Sequence, residues 1–237
     1  MNVTEAQKLS SLQKGYPKAL KDLFGDLAAP DIWYLGNLSL FEEKAVGFCG
    51  SRDATENGIS TAADCSRQLS EQGVVVVSGY APGVDMASHE AALSSGGRTI
   101  IVLPEGMGHF RIKRSIKPLW DWDRVLVISY FPPNAIWRAD RAMDRNKAIV
   151  ALSSAVIVIE ARERGGTLNA GFTALKMSKP LFVAIYNEMN GGREGNQQLI
   201  SEGATPLLRS RASGSAQLRR VFDILGSSQG NDIKFAS

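Results

Sequence analysis

Cysteine and histidine are scarce in this sequence of 237 residues, which contains two of each. Cys49 falls in a predicted buried strand and Cys65 in a predicted helix, so we expect unpaired thiols in a reducing, cytoplasmic compartment and no disulfide framework. His89 and His109 do not combine with these cysteines at the spacing of a zinc site. We therefore expect no metal, and we expect His89 to lie in the core or beneath a loop.

Long apolar runs are also missing, since the longest uncharged one, residues 148–159, has 12 residues. That length is too short to span a bilayer, and the first residues include no apolar segment typical of an export signal. The content of 44% hydrophobic and 22% charged residues is ordinary for a globular protein and excludes collagen-like, disordered and disulfide-rich classes. The sequence predicts no membrane association.

The motifs of the common nucleotide-dependent enzymes are absent as well. No glycine is followed by lysine, which excludes a P-loop, and residues 106–108 lack the third glycine of a dinucleotide-binding fingerprint. Glu160 ends a predicted strand without a carboxylate or histidine partner in the sequence, which favours a structural role over acid–base chemistry. We expect a protein that is not an enzyme and that holds no cofactor.

Positive charge exceeds negative charge by only 3, with 27 Lys and Arg against 24 Asp and Glu, so net charge alone does not indicate a nucleic-acid partner. The excess is concentrated between Arg111 and Lys147, where nine basic residues oppose four acidic ones. The same stretch contains Trp120, Trp122, Tyr130, Phe131 and Trp137. Basic residues interleaved with aromatic ones suit single-stranded DNA, and a solvated basic face above core aromatics explains the pattern equally well.

The part of the sequence after residue 44 alternates predicted strands with predicted helices. Six runs are short, continuous and rich in Val and Ile, which is typical of strands buried on both faces of a parallel sheet: 45–49, 74–77, 99–103, 125–128, 155–159 and 181–185. Helical periodicity covers residues 58–72, 85–95, 138–152, 167–177 and 217–225. The alternation predicts an α/β fold, an extended Rossmann-like, doubly wound and mostly parallel sheet flanked by helices.

Three regions are predicted along the chain. Residues 1–40 form a short helical and extended lead-in, with a helix over residues 4–14. Residues 41–225 form the Rossmann-like domain, and residues 226–237 form a flexible tail.

Three glycine-bearing turns follow predicted strands at the carboxyl edge of the sheet, where ligands bind in such folds. The turns begin at Gly50, Ser78 and Gly165. Each opens onto a helix N-terminus, whose free N–H groups and positive dipole end attract phosphate. One such turn indicates only a tight connection, whereas three at one edge favour a phosphate-bearing ligand.

Taken in order, these loops resemble the DNA-processing protein A family, also called DprA or Smf. The matching stretches include AVGFCGSR (45–52), SGYAPGVDMASH (78–89), RNKAIVALSSAVIVIEA (145–161) and GGTLNAG (165–171), and the resemblance covers about residues 16–207. It implies a Rossmann-like domain that binds single-stranded DNA and self-associates as a homodimer. It also implies a role in DNA uptake and recombination, as a loader of a RecA-type recombinase in natural transformation.

The resemblance and the turns together predict the residues that contact DNA or its phosphates. They are Gly50, Ser51, Arg52, Ser78, Gly79, Gly83, Arg145, Asn146, Lys147, Gly165, Gly166 and Thr167. Because Arg145 and Lys147 are about 200° apart around a helix axis, only one can point squarely at a pocket. We expect that residue to be Arg145, whose planar fork takes a phosphate bidentately.

The sequence departs from the family pattern in two places. Residues 142–144 read Ala-Met-Asp where the family has Phe-Pro-Arg, and residues 184–187 replace a Val-Pro-Gly after the sixth predicted strand. We expect neither the N-terminal helical domain nor the C-terminal winged helix of many members, and we therefore expect a divergent, minimal member. Two alternatives stay open: a small-nucleotide sensor or nucleotide-processing enzyme that uses the same pocket, and a protein-interaction module.

Overall fold

A computed structural model describes residues 6–186, 193–210 and 213–227. The strands in this part of the chain are β1 (Gln7–Leu9), β2 (Ile32–Gly36), β3 (Ala45–Cys49), β4 (Val75–Ser78), β5 (Thr99–Val102), β6 (Val125–Ser129), β7 (Ala155–Val158), β8 (Leu181–Ala184) and β9 (Thr205–Leu207). The α-helices are α1 (Lys18–Phe24), α2 (Glu56–Glu71), α3 (Val84–Ser94), α4 (Ala139–Leu152), α5 (Gly166–Lys176), α6 (Glu194–Ser201) and α7 (Arg219–Ser227). The predicted α/β class and all six predicted strands are confirmed.

The nine strands form one sheet in the order β1-β2-β6-β5-β4-β3-β7-β8-β9. All neighbours from β6 to β9 pair in parallel, and the antiparallel pairs involve β2. From β3 the chain builds outward through β4, β5 and β6, then crosses to the other side of β3 with β7. The strand order therefore reverses between β3 and β7, which is the place where open α/β sheets bind ligands.

The helix predicted over residues 4–14 is wrong where the structure describes it. Residues 7–9 form β1, which pairs antiparallel with β2 at Lys8↔Trp33, and β2 in turn pairs with β6 at Tyr34↔Ile128. Sheet pairing satisfies the backbone of this short segment and buries Leu9 in the core, so tertiary context overrides a weak local helical pattern. The lead-in thus adds two strands to the sheet, and residues 228–237 of the predicted tail lie outside the described residues.

The core occupies both faces of the sheet. Along β4, Val75 and Val77 pack on one face and Val76 packs on the other, and all three are fully buried. Cys49 and Cys65 are buried free thiols, as expected, and burial raises the pKa of the Cys49 thiol to about 12. Helices on both faces explain why the strands read as continuous apolar runs.

Within the described ranges, every helix is too short or too polar to cross a lipid bilayer.

Candidate functional site

A cavity of about 450 Å³ opens at the carboxyl ends of β3 and β7, where the strand order reverses. We call it the switch-point cavity. Its walls come from the loop after β3, the first turns of α4 and the loop between β7 and α5. It brings together eight of the predicted site residues: Gly50, Ser51, Arg52, Arg145, Asn146, Gly165, Gly166 and Thr167. Its volume lies within the range of about 300–1,000 Å³ that is usual for ligand pockets.

The other four predicted residues do not line this cavity. Ser78 and Gly79 lie beneath it, and Gly83 precedes the first residue of α3. Lys147 points away and its Nζ atom pairs with Asp144 at 2.9 Å. The structure therefore places Arg145, and not Lys147, at the cavity.

Arg145 is the most unusual side chain of the cavity. The residue is only 4% exposed, and its buried Nε and Nη1 atoms have no hydrogen-bond partner among the described residues. The carboxylate of Asp85 is 3.8 Å from Nη1, close enough for attraction and too far for a hydrogen bond. A buried guanidinium with free donors is costly unless an anion satisfies it.

Asp85 and Gly79 hold Arg145 in this position. The Asp85 carboxylate accepts hydrogen bonds from Ser78 Oγ at 2.9 Å and from the Ala81 N–H at 3.1 Å. A Cβ atom on Gly79 would overlap the guanidinium of Arg145. The glycine is therefore required so that the arginine can lie across the turn.

Gly83 packs the glycine turn before α3 against the glycine turn after β3. Its φ of +77° favours glycine, and a Cβ atom there would overlap the carbonyl oxygen of Ser51. The Val84 N–H donates to that same carbonyl at 3.2 Å. The turn after β3 and the start of α3 are thus locked together below the cavity.

The turn before α5 presents a helix N-terminus to the cavity. Gly165, at φ +125°, precedes the helix, and no side chain of the described residues caps its first N–H groups. Asn146 donates from Nδ2 to the Gly166 carbonyl at 3.1 Å and so ties this turn to α4. Uncapped N–H groups at the positive end of a helix form an anion site when a cation lies beside them.

Four arginines and three acidic residues line the cavity: Arg52, Arg145, Arg162 and Arg164, and Asp53, Asp85 and Glu160. The carboxylates of Asp85 and Glu160 accept hydrogen bonds from other groups of the protein. The third acid, Asp53, pairs with Arg162 at 3.2 Å. Within the described residues, Arg164 has no hydrogen bond or ion pair. The electrostatic balance at the cavity mouth is therefore positive.

Arg162 is a lining residue that the sequence analysis missed. The available signal was its position, two residues after the strand-ending Glu160 in the loop that also carries Arg164. The glycines of the loop between β7 and α5 identified it in the sequence, whereas Arg162 and Arg164 of the same loop contribute positive charge to the cavity.

Trp137 gives the rim an aromatic face. The guanidinium of Arg52 lies 5.1 Å from the centre of the Trp137 ring, and Trp137 is 46% exposed. The ring therefore offers an exposed aromatic face at the rim of the cavity.

The basic and aromatic stretch from 111 to 147 does not form one surface. Trp120 and Trp122 are partly buried and pack against the core, with their ring centres 5.2 Å apart. Arg124 lies at the opposite edge of the sheet, where it donates to the carbonyl of Leu93 at 3.1 Å. Of that stretch, mainly Trp137 and the start of α4 reach the cavity.

Glu160 has the structural role predicted from the sequence. Its carboxylate accepts hydrogen bonds from the N–H and the Oγ1 of Thr55, at 2.9 and 2.6 Å, and from Nε of Arg193 at 3.0 Å. Thr55 is the N-cap of α2 and accepts from the Gly58 N–H. Glu160 thereby fixes the start of α2 against the end of β7.

His89 is buried beneath the second glycine turn, as expected. Its Nε2 atom lies 2.6 Å from the carbonyl oxygen of Gly79, and Nδ1 lies 2.6 Å from Oγ1 of Thr99. Burial lowers the pKa of His89 to about 4. The imidazole is therefore neutral at pH 7 and supports the turn across which Arg145 lies.

Across the residues described, His, Cys, Asp and Glu side chains do not gather in a group of three or more that could hold a metal ion.

Comparisons with known proteins identify the family to which the chain is similar. The model of the family described as DNA recombination-mediator protein A matches residues 7–215. The DNA processing protein DprA of Streptococcus pneumoniae is 34% identical over 205 residues, covering 84% of this chain and 71% of the relative. The DprA of Bacillus subtilis is 28% identical over 194 residues, and the match covers 81% of this chain and 64% of that protein.

Solved structures show the same relationship. The crystal structure of the S. pneumoniae protein superimposes with a TM-score of 0.76 and 32% identity, over 86% of this chain and 72% of that one. DNA processing protein A from Helicobacter pylori, solved to show how it binds single-stranded DNA, superimposes with a TM-score of 0.72 and 25% identity, over 87% of this chain and 93% of that one. A molybdenum cofactor binding protein from Rippkaea orientalis, at 20% identity and a TM-score of 0.52, shares the fold alone. The fold, the switch-point cavity and the match over most of its length place this chain in the DNA recombination-mediator protein A family.

Proposed function

We propose that this protein binds single-stranded DNA in the switch-point cavity and acts as a recombination mediator. The observation that carries the proposal is Arg145, which is buried at the cavity with its Nε and Nη1 donors unpartnered among the described residues. A phosphate that enters the cavity would give this guanidinium a charged hydrogen-bond partner. Membership of the family and the relative from H. pylori support DNA as the source of that phosphate.

Two further groups surround the place of this phosphate. The uncapped N–H groups at the start of α5 approach from the side of β7. Arg52 approaches from the side of β3, where its guanidinium is stacked on Trp137. An anion between these two groups would accept hydrogen bonds from the Arg52 guanidinium and from the backbone N–H groups of α5. Together these bonds would fix the position of one phosphate of the DNA backbone.

The exposed rim suits the neighbouring nucleotides. Arg162 and Arg164 present charge to further phosphates, and the open ring of Trp137 offers a surface on which a base can stack. Such contacts do not require a paired base, so a single strand fits this cavity better than a duplex does.

The site is proposed to bind DNA without converting it. Glu160, the acidic residue at the end of β7, is committed to Thr55 and Arg193. The comparisons favour a mediator over a small-nucleotide sensor or a nucleotide-processing enzyme that uses the same pocket. The homodimer, the contact with a RecA-type recombinase and the cytoplasmic location are further parts of the proposal, and they depend on the family resemblance.

A side-by-side binding screen tests the proposal. The purified protein is titrated with oligothymidylate, with a duplex of equal length and with a set of mononucleotides, and binding is followed by fluorescence anisotropy. We expect tight binding of the single strand, weaker binding of the duplex and no preference among mononucleotides. Saturable binding of one mononucleotide with no binding of the single strand would refute the proposal.

A further inference from the structure

A second, smaller cavity of about 180 Å³ lies next to the first, at the carboxyl end of β5. The two cavities share Arg52, Ala81, Trp137 and Arg145 as lining residues. Because Arg145 lines both, a DNA strand with one phosphate at this guanidinium can extend into either space. The small cavity is below the usual range of about 300–1,000 Å³ for whole ligands, so it suits a part of a nucleotide.

The walls of the small cavity suit a flat ring. Tyr80 and Trp137 contribute aromatic side chains to its lining. Tyr80 is held in place by Lys113, whose N–H donates to the Tyr80 hydroxyl at 2.9 Å and whose Nζ donates to the Tyr80 carbonyl at 2.6 Å. Nζ of Lys113 also lies over the Tyr80 ring, 4.4 Å from its centre, and covers part of it. A wall that is already ordered loses little entropy when a base packs against it.

Glu105 determines which chemistry this cavity accepts. Among the described residues, its carboxylate makes no hydrogen bond and no ion pair. A carboxylate needs a hydrogen-bond donor as its partner, and a phosphodiester has none, so a base edge complements Glu105 and the backbone of DNA does not. The side chain of Glu105 offers acceptors only, and the guanidinium of Arg52 in the same cavity offers donors only.

Guanine is the base whose edge complements the Glu105 carboxylate and the Arg52 guanidinium. Its Watson–Crick edge presents two adjacent donors, N1–H and the N2 amino group, beside the acceptor O6. Two parallel donors match the two oxygens of one carboxylate, and O6 matches a guanidinium. Adenine and cytosine each present one amino donor next to an acceptor nitrogen, and thymine presents one N–H between two carbonyl groups.

We propose that the smaller cavity is a guanine-selective base subsite in which Glu105 accepts from N1–H and N2 of the base. This inference depends on the proposed DNA-binding function and adds a base preference to it. Arg145 holds the phosphate, and the base of an adjacent nucleotide enters between Tyr80 and Trp137.

The test uses a short oligothymidylate in which one central thymine is replaced by guanine, by hypoxanthine or by adenine. Hypoxanthine keeps N1–H and O6 and lacks only the N2 amino group, so it isolates the second hydrogen bond to Glu105. We expect the guanine strand to bind at least about fivefold more tightly than the other three, which corresponds to one specific base contact. Glu105→Gln should bring the guanine and hypoxanthine strands to equal affinity.

Glu90→Gln is the matched control. Glu90, like Glu105, acts electrostatically on Lys113, and it lines neither cavity, so this variant should keep the preference for guanine. Equal binding of the guanine and hypoxanthine strands by the unchanged protein would overturn the subsite, and so would a preference that survives Glu105→Gln. In both cases tight binding of unsubstituted oligothymidylate would leave the DNA-binding proposal intact, whereas failure to bind any strand would refute both.

Discussion

The Nη1 atom of Arg145 lies 3.8 Å from Oδ2 of Asp85, in a place where both side chains are almost completely buried. Asp85 satisfies its own acceptors with Ser78 and Ala81, so it compensates the charge of Arg145 without occupying its donors. The arrangement stabilises a cation in the protein interior and leaves its hydrogen bonds free for a ligand. Our first prediction follows from this pair.

Arg145→Ala should weaken binding of single-stranded DNA by about 1–3 kcal/mol, which is the usual value of a charged hydrogen-bonding group. Arg52→Ala should cost a similar amount, because Arg52 also faces the cavity. Lys147→Ala should cost less, since Lys147 pairs with Asp144 outside the cavity. Anisotropy titrations of the variants measure the differences.

Arg219→Ala, at the start of α7, is the control for these substitutions and should be nearly neutral. All variants need melting temperatures close to that of the original protein. A larger loss for Arg219→Ala than for Arg52→Ala would show that DNA runs over another surface.

Salt should weaken binding steeply if phosphates dominate the affinity. Three to five phosphate contacts at the arginines of the cavity predict a slope of roughly −2 to −4 in a plot of log affinity against log salt concentration, at about 0.7 per contact on a single strand. The measurement is a titration of oligothymidylate at several salt concentrations. A flat response would contradict a phosphate-binding cavity.

Gly79→Ala should reduce DNA binding although residue 79 does not line the main cavity. The added Cβ atom overlaps the guanidinium of Arg145, so the arginine must leave its place above the turn. Gly203→Ala is the matched control, because Gly203 has a φ of +104° and no atom within 4 Å of an added Cβ. Both variants should lose stability, by about 1 kcal/mol from backbone strain for Gly203→Ala, and only Gly79→Ala should lose DNA affinity in anisotropy titrations.

Stability should fall as the pH falls from about 6.5 towards 4, in part because of His89. The pKa of His89 is about 4 in the folded protein and about 6.5 in the unfolded chain. Within this window the unfolded chain binds the extra proton, so protonation favours unfolding, and the stabilisation present above pH 6.5 is lost by up to about 3 kcal/mol. Urea unfolding at a series of pH values measures the slope.

His89→Gln should flatten this slope, because the substitution removes the titrating group while keeping a polar side chain. The carboxylates of the protein titrate in both variants and cancel in the comparison. Identical slopes for the two proteins would show that His89 is not the group responsible.

Local patterns in the sequence were sufficient to predict the parallel strands at the centre of the sheet. The continuous Val and Ile runs, such as 75–77 and 155–158, predict buried parallel strands because a strand covered on both faces has no polar side. That Arg145 and Lys147 do not both face the cavity also follows from local geometry, since residues two positions apart in a helix point in different directions. These features depend on residues that are close together in the chain.

The tertiary structure alone decided the rest. Residues 7–9 became a strand because β2 offers a partner more than twenty residues away. Of Trp120 and Trp137, similar in the sequence, the first packs against the core and the second lies at the rim. The chain brings Glu105 within the same small cavity as Arg52 and Arg145, although these residues lie on three separate segments. Contacts between distant segments depend on sheet order and packing, which a local pattern does not encode, whereas the six buried strands β3 to β8 were determined by continuous apolar runs in the sequence.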